Sequence, residues 1–167
     1  MVALSIIVVG ILGVFNLTSQ SLSLNRVDAD RYVAVNLANE GIELVKNLLD
    51  DNIMNDAQPW NYLPGFVSDG NYEMDYSSTS LTAISGVGSA RYFYFSKSGS
   101  GYYRYPQAGE QANTTFQRVI NITTDGTEHI KVISTVYWTS RGSLYSFSVE
   151  DHFYDLKNFK FNLNNQL

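Results

Sequence analysis

The chain opens with an apolar run that gives way to a periodic mixture of apolar and polar residues. From Met1 to Leu17 there is no charged residue, and only Ser5 and Asn16 carry polar side chains. At about 1.5 Å per residue this run spans roughly 26 Å as a helix, close to the ~30 Å hydrocarbon thickness of a bilayer. It therefore predicts a membrane segment that covers residues 1–17 and extends to about residue 25.

The helical pattern continues beyond the apolar run. From Leu22 to Ile53 apolar residues recur mostly at three- and four-residue steps, and charged residues take the positions between them. This spacing is typical of an amphipathic helix. The first strong helix breaker is Pro59, so the pattern predicts one helix over residues 1–54, about 80 Å long.

One position inside this helix is predicted to contact the rest of the protein. Gly41 should cost about 1 kcal/mol relative to Ala in a helix interior unless another backbone packs closely there. We therefore expect the helix to dock on the remainder of the chain through Gly41, Leu44, Val45 and Leu48.

The second half of the chain has the two-residue period of strands. Alternation begins at Tyr72, Met74 and Tyr76. Two aromatic segments, 91–96 and 101–105, flank a Gly/Ser turn, which predicts two strands paired as a hairpin. Three longer segments, 116–123, 130–139 and 144–153, are separated by the turn sequences TDGTE and SRGS, which predicts a three-stranded antiparallel meander. The amphipathic half of the helix is the only sizeable apolar stripe that could cover one face of this sheet. The predicted fold class is α+β: a long N-terminal helix, with a membrane half and an amphipathic half, packed on a small antiparallel β head domain of residues 55–167.

Composition narrows the possible functions. The net charge is -5 and no Lys/Arg cluster occurs, which argues against a nucleic-acid partner because phosphate binding needs a concentrated basic face. The absence of cysteine excludes a disulfide framework, a thiolate metal site and a Cys nucleophile.

No group of residues predicts an active site, a metal or a cofactor. The nucleophile-elbow and phosphate-loop patterns are absent. His129 and His152 fall on separate predicted strands and are expected to be exposed strand residues rather than zinc ligands. Glu40, Glu43 and Lys46 follow one another at three-residue steps, which predicts an ion-pair ladder along the helix. The polar residues Asp50, Asp51 and Asp56 fit no EF-hand spacing and predict a solvated helix end.

An aromatic block is the one candidate binding surface. Tyrosine suits sugar or protein surfaces because its ring is apolar and its edge carries a hydroxyl. The alternative is that alternate aromatics belong to the core and the others are ordinary exposed strand residues. The candidate residues are Tyr92, Tyr94, Tyr102, Tyr103 and Tyr105.

Three stretches together resemble a known family. The run VALSIIVVGILGVF at 2–15 resembles the continuation of a prepilin N-terminal motif, and ANEGIE at 38–43 resembles the "A-x-E-G-I-E" stretch of such subunits. The segments FQRVI at 116–120 and VYW at 136–138, followed by Leu156-Lys157, resemble the C-terminal sheet of the same proteins. The chain thus resembles the type IV pilins and pseudopilins, and minor pilins most closely.

This resemblance implies a structural subunit without enzymatic activity. Its location would be the bacterial inner membrane, with a single pass and the head outside the cytoplasm, and its partners would be other pilin or pseudopilin subunits, the inner-membrane assembly platform and membrane lipid. Gly10 and Gly13 could permit close helix approach, or could simply be tolerated in a membrane helix. The helix residues that the resemblance assigns to membrane insertion and assembly are Val2, Leu4, Ile7, Val9, Gly10, Leu12, Gly13 and Phe15.

The family pattern also includes a short basic leader ending in Gly, a methylated Phe at the mature N-terminus and a Glu at the fifth mature position. None of these is in this sequence, and we expect that Glu to lie one or two residues before Met1. About six further residues would lengthen the membrane span to roughly 35 Å. The sequence is therefore expected to start at an internal Met or to come from a truncated gene model.

Two other functions stay open at this point. The first is a membrane-tethered extracytoplasmic binding or adhesion domain that forms no filament, for which the tyrosine block would be the working surface. A flexible linker would favour it, whereas the stretch from Leu17 to Asp50 is periodic and not rich in Gly, Pro and Ser. The second is a membrane-anchored hydrolase, which would need a convergent polar cluster that the sequence does not supply.

Overall fold

A single long helix dominates the architecture. The computed structural model describes residues 2–55, 58–97 and 101–155, and in it helix α1 covers Val2–Asn55 without a break. No proline interrupts these 54 residues, and the helix ends four residues before Pro59. The predicted long N-terminal helix is confirmed. The side chain of Leu4, the residue Asp56, the Gly/Ser turn at 98–100 and the segment Leu156-Lys157 lie outside the described residues.

The remainder of the described chain contains loops, the short 3₁₀ helix Val87–Ser89 and antiparallel strands, which are β1 (Gly70–Glu73), β2 (Thr82–Ile84), β3 (Tyr94–Ser96), β4 (Tyr102–Arg104), β5 (Gln117–Asp125), β6 (His129–Ser140) and β7 (Ser143–Tyr154). Five strands form one sheet in the order β2-β1-β5-β6-β7, and β3 and β4 pair as a separate two-stranded sheet. Strands β5, β6 and β7 are the predicted meander, and the α+β layout is confirmed.

Turn residues set the register of the meander. Arg141 and Gly142 connect β6 to β7, and both have positive φ, 53° and 81° respectively. Two consecutive residues with positive φ are typical of the type I′ turn, whose twist matches that of a hairpin. As a result the hairpin is paired along its whole length, from Ser140 opposite Ser143 to His129 opposite Tyr154.

The C-terminal half of α1 covers one face of this sheet. In β6, alternate residues from Ile130 to Trp138 are buried against it, as the alternation predicted. Two apolar clusters result, one around Val45 and Leu49 of α1 and the other around Ala34 and Leu37. The N-terminal half of α1 is different, because none of its described side chains before Ala34 is buried.

Candidate functional site

The exposed half of α1 is the first candidate site. Of the residues assigned to membrane insertion and assembly, Val2, Ile7, Val9, Leu12 and Phe15 are all exposed, and Gly10 and Gly13 have no other part of the chain near their Cα hydrogens. α1 is long and apolar enough to cross a membrane, and its most apolar 18-residue window has no buried residue. A helix that is apolar on every side is stable only when lipid or protein covers it.

A shallow groove runs along this exposed surface beside Gly10. It has a volume of about 430 Å³ and is bordered by Ile7, Ile11, Val14 and Phe15. Because Gly10 lacks a side chain, another helix could approach the backbone closely at this point. The Thr18 hydroxyl donates within the helix, to the Val14 carbonyl at 2.9 Å, and further along α1 Asp30 accepts a hydrogen bond from the Ser140 hydroxyl of the head at 2.7 Å.

The contact between α1 and the sheet has a polar centre. A Cβ added to Gly41 would overlap the Ser134 hydroxyl and lie 2.9 Å from Cδ of Arg118. Val45 is fully buried, and Leu44 and Leu48 pack at the edge of the same apolar cluster. All four residues expected to dock α1 on the head therefore lie at the contact between α1 and the head.

Arg118 of β5 is fully buried beneath the helix, at 0% exposure. Its guanidinium donates to the Leu37 carbonyl at 2.7 Å and to the Met74 carbonyl, and it lies 5.1 Å above the Phe93 ring. Carbonyl oxygens and an aromatic face compensate part of the cost of burying this charge. Arg118 of β5 is thus hydrogen-bonded both to α1, at Leu37, and to Met74, the residue that follows β1.

Glu40 is the anion nearest to this buried cation. Its Oε2 lies 3.7 Å from Nη1 of Arg118, while its Oε1 is buried and has no hydrogen-bond partner. Burial raises the pKa of Glu40, and the positive charge of Arg118 opposes that rise only in part. The predicted ladder of Glu40, Glu43 and Lys46 is wrong: Glu40 faces the head, and no ion pair between Glu43 and Lys46 occurs in the part of the chain that the structure describes.

The tyrosine block separates into buried and exposed members. Tyr105 is only 5% exposed, its ring stacks on Phe93 at 4.9 Å, and burial raises the pKa of its hydroxyl. Its proposed place in a binding surface is therefore wrong, because the ring fills the core beside Arg118. Tyr92 and Tyr102 are exposed, and Tyr94 and Tyr103 are half-buried.

A second groove, with a volume of about 400 Å³, lies between α1 and the β3-β4 hairpin. Four tyrosines border it, Tyr32 from α1, Tyr76 from the loop after β1, and Tyr102 and Tyr103 from β4. Glu40 also reaches its wall. The predicted tyrosine block contains two of these four tyrosines, Tyr102 and Tyr103, whereas Tyr32 and Tyr76 were missed. Tyr32 and Glu40 are eight positions apart on a helix, a spacing that puts both on one face and could have indicated the pairing.

The two histidines are also closer together than the sequence indicated. Register places His129 opposite Tyr154 and His152 opposite Lys131, so the imidazoles are diagonal neighbours. Nε2 of His129 lies 2.8 Å from Nδ1 of His152, and Nε2 of His152 lies 2.9 Å from a Glu150 oxygen. Among the described residues, no group of three or more His, Cys, Asp or Glu side chains is arranged to hold a metal ion.

Comparison with protein-family models, with curated proteins and with solved structures gave no match to this chain.

Proposed function

We propose that this chain is a structural subunit, a minor pilin or pseudopilin, of a type IV pilus or a type II secretion-like filament. The observation that carries the proposal is the continuity of α1, which passes without a break from an exposed apolar half into a half packed on the sheet. A tether for an independent domain needs only a flexible connection. A continuous helix instead fixes the head relative to the apolar segment, which is what an ordered filament requires.

In this proposal the apolar half of α1 has two successive environments. Before assembly it lies in the bacterial inner membrane as a single pass, with the head outside the cytoplasm. During assembly the same surface is covered by the helices of neighbouring subunits, after delivery by an inner-membrane assembly platform. Lipid tails are as apolar as these side chains, so the hydrophobic effect does not favour contacts between helices over contacts with lipid. Close packing must favour the helix contacts instead, and the groove beside Gly10 allows such packing.

Crosslinking between subunits tests this proposal directly, because the chain has no cysteine of its own. Pairs of cysteines would be introduced along the exposed half of α1, for example Ile7→Cys with Val14→Cys, in cells that carry the filament machinery. We expect oxidation to give a ladder of covalent multimers longer than dimers. A matched pair on the head surface, Val67→Cys with Tyr92→Cys, controls for random collision.

Processing of the natural gene product is a second test. The reading frame would be extended upstream, expressed with a prepilin peptidase, and its mature N-terminus determined by mass spectrometry. Cleavage before a methylated Phe that is closely followed by Glu is the expected result. An uncut product, together with multimers no more frequent than in the head-surface control, would refute the filament proposal.

The second candidate is a membrane-tethered binding or adhesion domain that assembles into no filament. The tyrosine-bordered groove favours it, since an aromatic groove on the head could bind a ligand without any neighbouring subunit. The crosslinking experiment separates the two functions, because a tethered monomer gives no ladder.

A further inference from the structure

Both histidines of the chain lie on the face of the sheet that α1 does not cover. In β6, His129 and Lys131 alternate with the buried residues Ile130 and Val132, so their side chains point away from the core. His152 of β7 is paired with Lys131 and therefore lies on the same outer face. About this face solvent is accessible, since 40% of the His152 side chain is exposed. A dissolved ion can therefore reach the two imidazoles.

The two imidazoles direct ring nitrogens at each other. Nε2 of His129 lies 2.8 Å from Nδ1 of His152, and the ring planes differ by only 9°. Two nitrogens that bind one metal ion at about 2.0 Å and at a right angle are about 2.8 Å apart, whereas a tetrahedral ion separates them by about 3.3 Å. The observed spacing therefore matches neighbouring positions around a square-planar or tetragonal ion.

Glu150 determines which nitrogen of His152 is free to bind a metal. Nε2 of His152 lies 2.9 Å from Oε1 of Glu150. An ionised carboxylate only accepts hydrogen bonds, so in the neutral ring this nitrogen carries the hydrogen and Nδ1 keeps its lone pair. Hydrogen bonds from His152 and from Lys131 lower the pKa of Glu150, which keeps the carboxylate ionised. A carboxylate that accepts from the second ring nitrogen is the usual support of a metal-binding histidine, because it orients the ring and raises its basicity.

The surroundings also orient both side chains of this pair. The Tyr154 ring stacks on the His129 ring, with centroids 4.8 Å apart and planes 21° apart. Lys131 holds the other oxygen of Glu150 at 3.1 Å, so its ammonium group is already paired. His129 needs only its second neutral tautomer, with the hydrogen on Nδ1, to present Nε2 as a ligand. Two nitrogen ligands are thus placed together before any ion binds.

We propose that His129 and His152 bind a divalent transition-metal ion of the copper(II) type, which prefers nitrogen ligands in square-planar or tetragonal geometry. The chain supplies two ligands and water supplies the others, since the described residues contain no group of three His, Cys, Asp or Glu side chains arranged for a metal. The bound ion would link the first residue of β6 to β7, the edge strand of the sheet. This binding requires no filament, so it is independent of the proposed function.

The test uses the full chain, without a polyhistidine tag and in a non-ionic detergent, and measures Cu²⁺ binding by calorimetry. Because the chain has only two histidines and no cysteine, two single variants distinguish a shared ion from separate ones. With a shared ion, His129→Gln and His152→Gln should each weaken Cu²⁺ binding by at least about 10-fold, since either change removes the second ligand. With separate ions, each variant would lose one of two sites and keep the affinity of the other, which would overturn the proposal.

Electron paramagnetic resonance of the wild-type protein with one equivalent of Cu²⁺ gives a second measurement that needs no variant. We expect an axial spectrum with splitting from two nitrogen ligands. A spectrum with one nitrogen ligand or none, or no Cu²⁺ binding at about 1 mM, would overturn the proposal.

Glu150 is a positioning residue in this proposal, and its role has its own pair of variants. Glu150→Ala should weaken Cu²⁺ binding by about 5-fold or more, whereas Glu150→Gln should retain more affinity because its amide oxygen can still accept from His152. Glu43→Gln, an exposed change on α1, is the control for lost charge and should alter the affinity by less than about 2-fold. Equal losses in Glu150→Ala and Glu43→Gln would refute the role of Glu150.

Discussion

At the scale of single residues, the contact between α1 and the head depends on one missing side chain. Gly41 allows the helix backbone to approach Ser134 and Arg118 at the middle of the sheet. The sequence indicated this position because a glycine in a helix interior is costly without a packing reason. It could not indicate which residues lie opposite, because Ser134 and Arg118 are far away in the chain.

Gly41→Ala should lower the free energy of unfolding of the head by about 1–3 kcal/mol, since the added methyl group overlaps Ser134 and overpacks the contact. Urea unfolding, followed by tryptophan fluorescence in detergent, measures this loss. Gly88→Ala is the matched control, because an added Cβ there meets nothing within 4 Å. Combining Gly41→Ala with Ser134→Ala should recover part of the loss, and strict additivity of the two changes would contradict the proposed overlap.

Glu40 predicts a specific pH dependence. Burial raises its pKa above the ordinary value of a glutamate side chain, so between that ordinary value and its pKa in the folded protein the folded state binds more protons than the unfolded state. Stability therefore falls as the pH rises through this window. Arg118 opposes the effect, while Asp75 and Glu43 reinforce it.

We expect the unfolding free energy of the wild type to fall relative to that of Glu40→Gln as the pH rises from about 4 to about 7. Urea unfolding at four or five pH values measures it. Glu43→Gln, an exposed change on the same helix, should show a smaller slope. A difference that stays constant across the range would show that Glu40 titrates normally.

At the scale of elements, the hairpin of β6 and β7 depends on its two-residue turn. Arg141 has a φ of 53°, a left-handed conformation that Asn adopts more readily than Arg and that a β-branched residue strongly disfavours. Arg141→Asn should therefore raise the unfolding free energy by about 0.5 kcal/mol, and Arg141→Val should lower it by about 1 kcal/mol or more. Urea midpoints give both values. Thr127→Val, in the turn before β6, should have little effect, and equal losses at both turns would contradict this account.

The long elements could be predicted because their signals are local. α1 follows from one uninterrupted period, and the meander follows from alternation and two turn sequences. Of the short elements, the β3-β4 pair follows from the two aromatic segments on either side of the Gly/Ser turn, whereas β1 and β2 could not be predicted in this way. β2 was missed, and the strand expected around Tyr72 to Tyr76 ends at Glu73, because β1 pairs with β5, about 50 residues further along the chain.

Buried carboxylates explain why alternation failed near β1. Glu73 and Asp75 are as buried as Tyr72, which a pattern of alternating polarity cannot predict. Glu73 accepts hydrogen bonds from Arg91, and Asp75 accepts from the Tyr105 backbone and from Ser78. The hydrogen-bond donors for each carboxylate come from residues that are brought close only by the fold. The inward orientation of Glu40 could not be predicted for the same reason, because its partner Arg118 is distant in the chain.

At the scale of the whole molecule, the head does not use the first half of α1 for its own stability. The first buried residue along α1 is Ala34, and among the described residues Val33 is the earliest α1 side chain that packs against the core. Deleting residues 2–24 should therefore change the unfolding free energy of the head by less than about 0.5 kcal/mol, compared in the same detergent. Near-ultraviolet circular dichroism of Trp60 and Trp138, both in the head core, follows the transition.

A longer deletion is the matched control for this prediction. Removing residues 2–38 also takes away Ala34, Leu37 and Ala38, all of which pack in the core. We expect it to lower stability by at least about 3 kcal/mol. If both deletions destabilise the head equally, the exposed half of α1 contributes to folding in a way that its lack of contacts does not explain.

The unbroken path of α1 also fixes the angle at which the head faces its surroundings. Each residue of an α-helix turns the chain by about 100° and advances it by about 1.5 Å. One residue inserted between 25 and 33 would therefore rotate every surface of the head, including the tyrosine-bordered groove, by about 100° around the helix axis. Seven inserted residues would restore the original direction to within about 20° and raise the head by about 10 Å. α1 thus fixes both the direction in which the head faces and its distance from the apolar segment. An insertion of one residue changes mainly the direction, and an insertion of seven residues changes mainly the distance. The two insertions would therefore distinguish a function that depends on the direction of the head from one that depends on its distance.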